Sequence, residues 1–208
     1  MLDNRYKELY DAYWSNWYRG KRSFLRETFA DKLITLFGPQ CILDIGCGPG
    51  NLMRRLLRLE QKVQAIEYSN WIIENRLKDL KRKGLVKEAS ITHIPHEDSS
   101  FDLVSCIEVL EHIPIEDVEI AVRELVRVSS RYIVCTICST ASPLDDPDRL
   151  QKPDHLQDLK VHATVRPAEW WLEIFARKGA IYDVGLTRNV QRNEETSVQF
   201  YVFQVGVE

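Results

Sequence analysis

No stretch of these 208 residues comes near the roughly 20 consecutive apolar side chains that a membrane-spanning helix needs. An excess of one charge is missing too. Lys and Arg number 28 against 31 Asp and Glu, a net charge of −3, so no chain-wide basic field points to nucleic acid or an anionic membrane surface. There is no internal repeat and no low-complexity segment. The first seven residues are polar and lack the apolar core of a signal peptide, so the expected location is cytoplasmic. Cysteine is sparse and odd in number: Cys41, Cys47, Cys106, Cys135 and Cys138. Cys135 and Cys138 have CxxC spacing, but they lie in a β-type run, where an odd offset sends side chains to opposite faces. No second CxxC completes a zinc site, and the cysteines read as buried apolar side chains.

What is present is the composition of a soluble globular chain, 44% hydrophobic and 28% charged, with length for one full α/β domain. Tyr6, Tyr10, Tyr13, Trp14, Trp17 and Tyr18 fall at helical spacings, one aromatic stripe on a first helix. A second helix is expected over 24–37, ended by Gly38-Pro39. Strands at 41–45, 62–67, 89–94, 101–107 and 131–137 then alternate with helices at 51–59, 70–83 and 116–128. Short apolar strands alternating with helices indicate a parallel sheet covered on both faces. The stretch 139–160, with Pro143, Pro147 and Pro153, reads as a loop insertion. A helix at 167–178 and two strands at 181–186 and 198–205, joined by a loop, close the chain as an antiparallel hairpin. The expected fold class is α/β: a seven-stranded, mostly parallel, doubly wound sheet with a C-terminal antiparallel hairpin and helices on both faces.

Gly46, Gly48 and Gly50 follow the first strand and open a helix. Without Cβ atoms the chain can turn sharply there and come close to a ligand, and the helix start adds unpaired N–H groups. Asp44 lies two residues before the first glycine, and Glu67 closes the next strand. A carboxylate at that second position accepts from both hydroxyls of a ribose and disfavours a 2′-phosphate, which narrows the ligand to an adenosine cofactor with free ribose hydroxyls.

Leu43-Asp44-Ile45-Gly46-Cys47-Gly48-Pro49-Gly50 resembles the first motif of class I (Rossmann-like) S-adenosylmethionine-dependent methyltransferases. The run from Ile94 to Val104 resembles that family's LPF-x-D-x-S-F-D-x-V stretch, and Glu108-Val109-Leu110-Glu111-His112-Ile113 resembles its EVLEH turn. The resemblance, in order and spacing, covers about Gln40 to Ile113. It implies S-adenosyl-L-methionine as cofactor. The loop of Gly46, Cys47, Gly48 and Gly50 would face its methionine part, with Asp44 orienting the loop and the amino group. Glu67 and Tyr68 would lie at the ribose, and Ser90 and Ile91 beside the adenine. Ser90 stands where the family usually has Asp. Ile107 and Glu108 would line the methyl end. Residues 39–208 are then the cofactor-binding methyltransferase domain, with insertion 139–160, and the helices of 1–38 a cover for the acceptor pocket.

Methyl transfer mainly requires alignment of the nucleophile and exclusion of water; a base is needed where the acceptor is protonated at neutral pH. His112, just past the fourth strand, and His162, between the insertion and the next helix, are the candidate catalytic groups. Glu108, Glu111 and His112 share a face if the turn is helical, part of a divalent-metal site. Small-RNA 3′-terminal 2′-O-methyltransferases have a similar E-x-x-E-H, with a later histidine, as magnesium ligands. The segment from His162 to Trp171 is instead similar to the H-x-T/N-V-x-P-x-E-W-W pattern of small-molecule methyltransferases, and no metal is assigned. Tyr13, Trp14 and Tyr18 are candidate acceptor contacts, the other reading of their stripe being that it docks the helix on the core. Trp170 and Trp171 cannot face the same way on a helix: one packs, and Trp170 is placed at the acceptor. The expected activity is methyl transfer to an oxygen or nitrogen of a small-molecule acceptor, with no membrane or nucleic-acid partner. The alternatives are a metal-assisted RNA 2′-O-methyltransferase and a cofactor-binding module without turnover.

Overall fold

The computed structural model describes residues 4–17, 28–145, 150, 152–192, 194 and 198–206. Helix α1 (Asn4–Ala12) runs into a π-helical turn (Tyr13–Trp17), and α2 (Phe29–Phe37) follows. Gly38 ends α2 at φ 52°, its N–H returning to Ile34 O, as a glycine placed just past a helix should. The alternating region is β1 (Ile42–Ile45), α3 (Asn51–Arg58), β2 (Val63–Glu67), α4 (Asn70–Arg76), α5 (Lys78–Arg82), β3 (Val86–Glu88), β4 (Phe101–Ile107), α6 (Ile115–Val128) and β5 (Ser129–Ile137). Helix α7 (Ala168–Arg177), β6 (Ile181–Tyr182), α8 (Val184–Gln191) and β7 (Gln199–Gln204) complete the chain.

The seven strands form one sheet in the order β3-β2-β1-β4-β5-β7-β6. All pairs are parallel except β7, which runs antiparallel to both β5 and β6. All four residues of β1 are buried, as a central strand covered on both faces demands. Two apolar clusters fill the two sides. One holds Val104, Leu125, Ile133, Trp171, Phe175 and Phe203; the other holds Leu33, Ile42, Leu56, Leu103 and Phe200. Asp102 fixes where β1 enters, its carboxylate accepting from Gln40 N (2.7 Å) and Cys41 N (2.9 Å). Among the described residues no helix is long and apolar enough to cross a membrane.

Three expectations need correction. The third strand is Val86–Glu88, not 89–94. Residues 89–94 instead form a turn in which Ser90 accepts from Thr92 N through Oγ and from His93 N through its carbonyl, while Ile91 and Ile94 drop into the core. The alternation of Ala89 and Ile91 with Ser90 and Thr92 imitates a strand. The expected helix 70–83 breaks at Leu77 into α4 and α5. The closing pair is antiparallel, but a helix rather than a loop joins the two strands, because Asp183 stops β6 and caps α8 by accepting from Leu186 N. The second helix is described only over 29–37. The insertion contributes two short 3-10 turns, 143–145 and 154–156, and with Val161 just after it packs Leu150, Leu156 and Leu159 around Leu9 of α1. Cys135 is buried and Cys138 partly exposed, and all five cysteines are free thiols.

Candidate active site

The parallel strands end together on one edge of the sheet, and the loops after β1, β2 and β4 meet there. The turn after β1 is tied to β2: Gly46 N (2.9 Å) and Cys47 N (3.2 Å) both donate to Ile66 O. Gly46 sits at φ 62°, and a Cβ there would lie 2.6 Å from Val109 Cγ2, so the first glycine lets the loop pack directly on the turn after β4. At Gly48 (φ 52°) a Cβ would stand 3.2 Å from the Trp14 ring, which places the N-terminal segment over the loop.

Glu67 is buried at the end of β2 and holds this loop together. It accepts from Gly48 N (2.8 Å) through one oxygen and from Tyr68 N (2.9 Å) and Ser69 N (2.8 Å) through the other. Burial raises its pKa and the three N–H groups pull it back. Asp44 is opposite Ser105 in the sheet register, and Ser105 Oγ donates to its Oδ1 at 2.8 Å. Its Oδ2 is buried with no donor. Burial pushes Asp44 up to about 7, against the Ser105 hydrogen bond and with a smaller push from Glu67. A buried carboxylate oxygen without a donor, a ribose-type carboxylate and a glycine turn are a fitting set for a cofactor that carries an ammonium and an adenosine ribose.

The second group of residues follows β4. Glu108 has φ 55°, a strained conformation for a non-glycine residue, held by Glu108 N on Thr136 Oγ1 (3.0 Å) and by Thr136 Oγ1 donating back to Glu108 Oε1 (3.0 Å). Leu110–His112 is one 3-10 turn rather than an α-helix. It aims Glu111 inward, 0% exposed, with Oε1 accepting from Cys138 N (3.1 Å). Among the described residues no hydrogen-bond donor reaches Glu111 Oε2. Burial, then the nearby Glu108 charge, push Glu111 well above the usual carboxylate range.

His112 Nδ1 lies 2.7 Å from Val161 O and His162 Nδ1 lies 2.7 Å from Thr140 O. A carbonyl only accepts, so each neutral ring carries its proton on Nδ1 and leaves a lone pair on Nε2. The two rings meet edge to face, centroids 5.0 Å apart. Burial, then His162, lower His112 to about 4. Glu111, His112 and His162 each bring a ligand atom within 4.8 Å of the other two. Thr164 zips this corner shut, with N to Glu111 O (2.9 Å) and Oγ1 to Ile113 O (2.7 Å).

The structure therefore gathers Asp44, Gly46, Cys47, Gly48, Gly50, Glu67 and Tyr68 around the first loop, and Ile107, Glu108, His112 and His162 beyond β4. Ile91 is buried in the core, and Ser90 Oγ bonds within its own turn. Tyr13 stands edge-on to Trp14 (4.9 Å); Tyr18 lies outside the described residues. Trp171 is buried, while Trp170 is partly exposed with Arg166 5.7 Å from its ring centroid. Sequence reasoning overlooked Tyr10, whose hydroxyl donates to His112 O (2.7 Å), and Asp11, which caps α4. Tyr10 was visible as a member of the stripe; nothing local marks Asp11.

Residues 43–131 match a family model described as a methyltransferase domain. Over that segment, from β1 to the start of β5, the chain resembles methyltransferase domains. Among curated relatives, the chain is 30% identical to the mitochondrial ubiquinone biosynthesis O-methyltransferase of Schizosaccharomyces pombe, over 66% of this chain and 55% of that one. It is 36% identical to the ubiquinone biosynthesis O-methyltransferase of Xanthomonas campestris over 35% of this chain and 32% of that one. The chain thus spans about half the length, or less, of these relatives. In fold it resembles the magnesium protoporphyrin IX methyltransferase of Synechocystis with bound SAH, at TM-score 0.64 and 13% identity, covering 98% of this chain and 96% of that one. The glycine loop and Glu67 both lie within the matched residues 43–131.

Proposed function

We propose that this methyltransferase transfers a methyl group from S-adenosyl-L-methionine to a hydroxyl oxygen of a small molecule. When bound, the cofactor supplies a methyl group on a positively charged sulfur. The observation that carries the choice of oxygen is the pair of imidazoles, each with Nδ1 tied to a carbonyl and Nε2 carrying a lone pair. A hydroxyl holds its proton at neutral pH and needs a base; an amine with its lone pair free does not. His162 or His112 takes the acceptor's proton at Nε2, Thr140 O and Val161 O hold the rings in place, and the Tyr10 ring packs edge-on against His112. Relatives named O-methyltransferases support the same choice. The test is methyl transfer to matched panels of phenols, alcohols and amines, with S-adenosylhomocysteine binding measured by calorimetry. Turnover on hydroxyls, lowered by about 10²–10⁴ in His162→Ala with unchanged S-adenosylhomocysteine affinity, is expected. Turnover confined to amines and indifferent to both histidines overturns the reading.

A second reading rests on Glu111 Oε2, buried beside two imidazoles with no donor. Together with Glu108, these groups would hold a divalent cation, and the carbonyl bonds to Nδ1 are the usual way of orienting histidine ligands. Dialysis against a chelator separates the two: under this reading turnover falls and Mg²⁺ or Zn²⁺ restores it, whereas bases acting alone are indifferent.

A further inference from the structure

Helix α1 touches both halves of the site. On one side Asp11 Oδ1 accepts from Ser69 Oγ and from Trp71 N (2.9 Å), the start of α4. Ser69 in turn accepts from Ile72 N through Oγ and donates its own N–H to Glu67 Oε1, so one residue separates Asp11 from the carboxylate assigned to the ribose. Lys7 pairs with Glu88 at the end of β3. On the other side Tyr10 donates to His112 O, and its ring meets the His112 ring edge-on at 5.7 Å. Leu9 is fully buried against the insertion. At the C-terminal end of the helix, Trp14 lies on Gly48. A ligand approaching the glycine loop beside Gly48 and Glu67 meets a roof.

We propose that Asp11 is a positioning residue: it pins α1 to the ribose end of the cleft through Ser69 and Trp71, so that the helix closes over a bound adenosine cofactor and, through Tyr10, sets His112 for the acceptor. The coupling is electrostatic. Asp11 and Glu67 are two carboxylates on either side of Ser69, and the Asp11 charge adds a smaller upward push on Glu67 to that of burial. Ribose hydroxyls donating to Glu67 disperse its charge, so the repulsion that opposes docking of Asp11 falls. By linkage, whatever cofactor binding adds to helix docking, docking adds to cofactor affinity. The cofactor then enters before the acceptor and leaves after it.

This rests on the methyltransferase reading, and the experiment keeps the two apart. Hydrogen exchange across residues 4–12 is followed with and without S-adenosylhomocysteine, whose affinity is measured in parallel by calorimetry. In the wild type the ligand should slow exchange of these amides about tenfold. Asp11→Ala should reduce that gain to less than threefold and speed ligand release. Asp11→Asn keeps an oxygen for Ser69 and Trp71 but removes the charge, so its helix should be protected before ligand is added, with little further gain. Lys7→Ala, which removes only an exposed pair, should behave as wild type. Tyr10→Phe should retain the ligand-induced protection. An equal gain in wild type and Asp11→Ala, or protection in the wild type that ignores the ligand, overturns the proposal. Absence of S-adenosylhomocysteine binding to the wild type sinks the methyltransferase reading instead.

Discussion

Asp44 gives the sharpest test of the cofactor cleft, because its burial has a cost that depends on pH. Its pKa rises from the ordinary 3.8 to about 7, chiefly because the carboxylate is buried, and one oxygen finds no donor. The unfolded chain therefore releases this proton near pH 4 while the native state keeps it until about pH 7. Stability falls as pH rises through that window, and the full loss is present above it. At roughly 1.4 kcal/mol per tenfold change in proton affinity, holding the ionised form costs about 4 kcal/mol at pH 8. Asp44→Asn removes the charge. It retains an oxygen for Ser105 Oγ but puts an NH₂ where Oδ2 lay, a buried donor whose desolvation costs about 1–3 kcal/mol at any pH. The absolute difference between variant and wild type depends on that offset; its pH dependence does not. The stability of the variant relative to wild type should rise by about 2–3 kcal/mol between pH 5 and pH 8. Urea unfolding of the ligand-free proteins at four pH values measures this directly, since every other titrating group is common to both. A difference that stays flat across the range refutes the burial argument. The variant should also bind S-adenosylhomocysteine at least tenfold more weakly, as expected of a charge-assisted contact worth about 1.5–3 kcal/mol.

Three further outcomes follow from the same geometry. Gly46→Ala places a methyl 2.6 Å from Val109 Cγ2 at φ 62°, whereas Gly84→Ala meets nothing within 4 Å at φ 70°; thermal melts should show about 2–4 kcal/mol lost at Gly46 and about 1–2 at Gly84. Glu67→Ala strips the acceptor from Gly48, Tyr68 and Ser69 N–H, and calorimetry should show S-adenosylhomocysteine affinity lower by about a hundredfold, two charge-assisted hydrogen bonds at about 1.5 kcal/mol each. With His112 lowered to about 4, it stays neutral through the working range, and the pH profile of turnover should lose no activity to His112 protonation above about pH 5; a loss near pH 6.5 that disappears in His112→Gln contradicts its burial.

The alternation of apolar strands and helices, the glycine loop and the strand-end carboxylate were legible along the chain because each depends on neighbours a few residues away. So was the resemblance to methyltransferase domains, whose motifs are local runs. Local signals also misled. Ala89 and Ile91 alternate with Ser90 and Thr92 like strand residues, but Ile91 and Ile94 anchor a turn, and the strand beside β2 begins three residues earlier, where Val86 reaches Ala65. Asp183 carried the information that a helix, not a loop, follows β6, but a single capping residue is a weak mark in a sequence.

Sequence by itself determined the sheet, the cofactor loop and the candidate roles of Asp44, Glu67 and His112, because backbone periodicity and turn chemistry are written at short range. Only the tertiary structure decided what surrounds them. His112 and His162 are 50 positions apart, and their shared tautomer is set by Val161 and Thr140. Asp11 reaches Ser69 and Trp71 across the cleft. The orphaned oxygens of Asp44 and Glu111 are properties of burial, which no spacing reveals. The glycine loop is drawn by its own residues; its roof and its acceptor corner exist because distant segments are packed against it, and the desolvation that tunes their carboxylates and imidazoles comes with that packing.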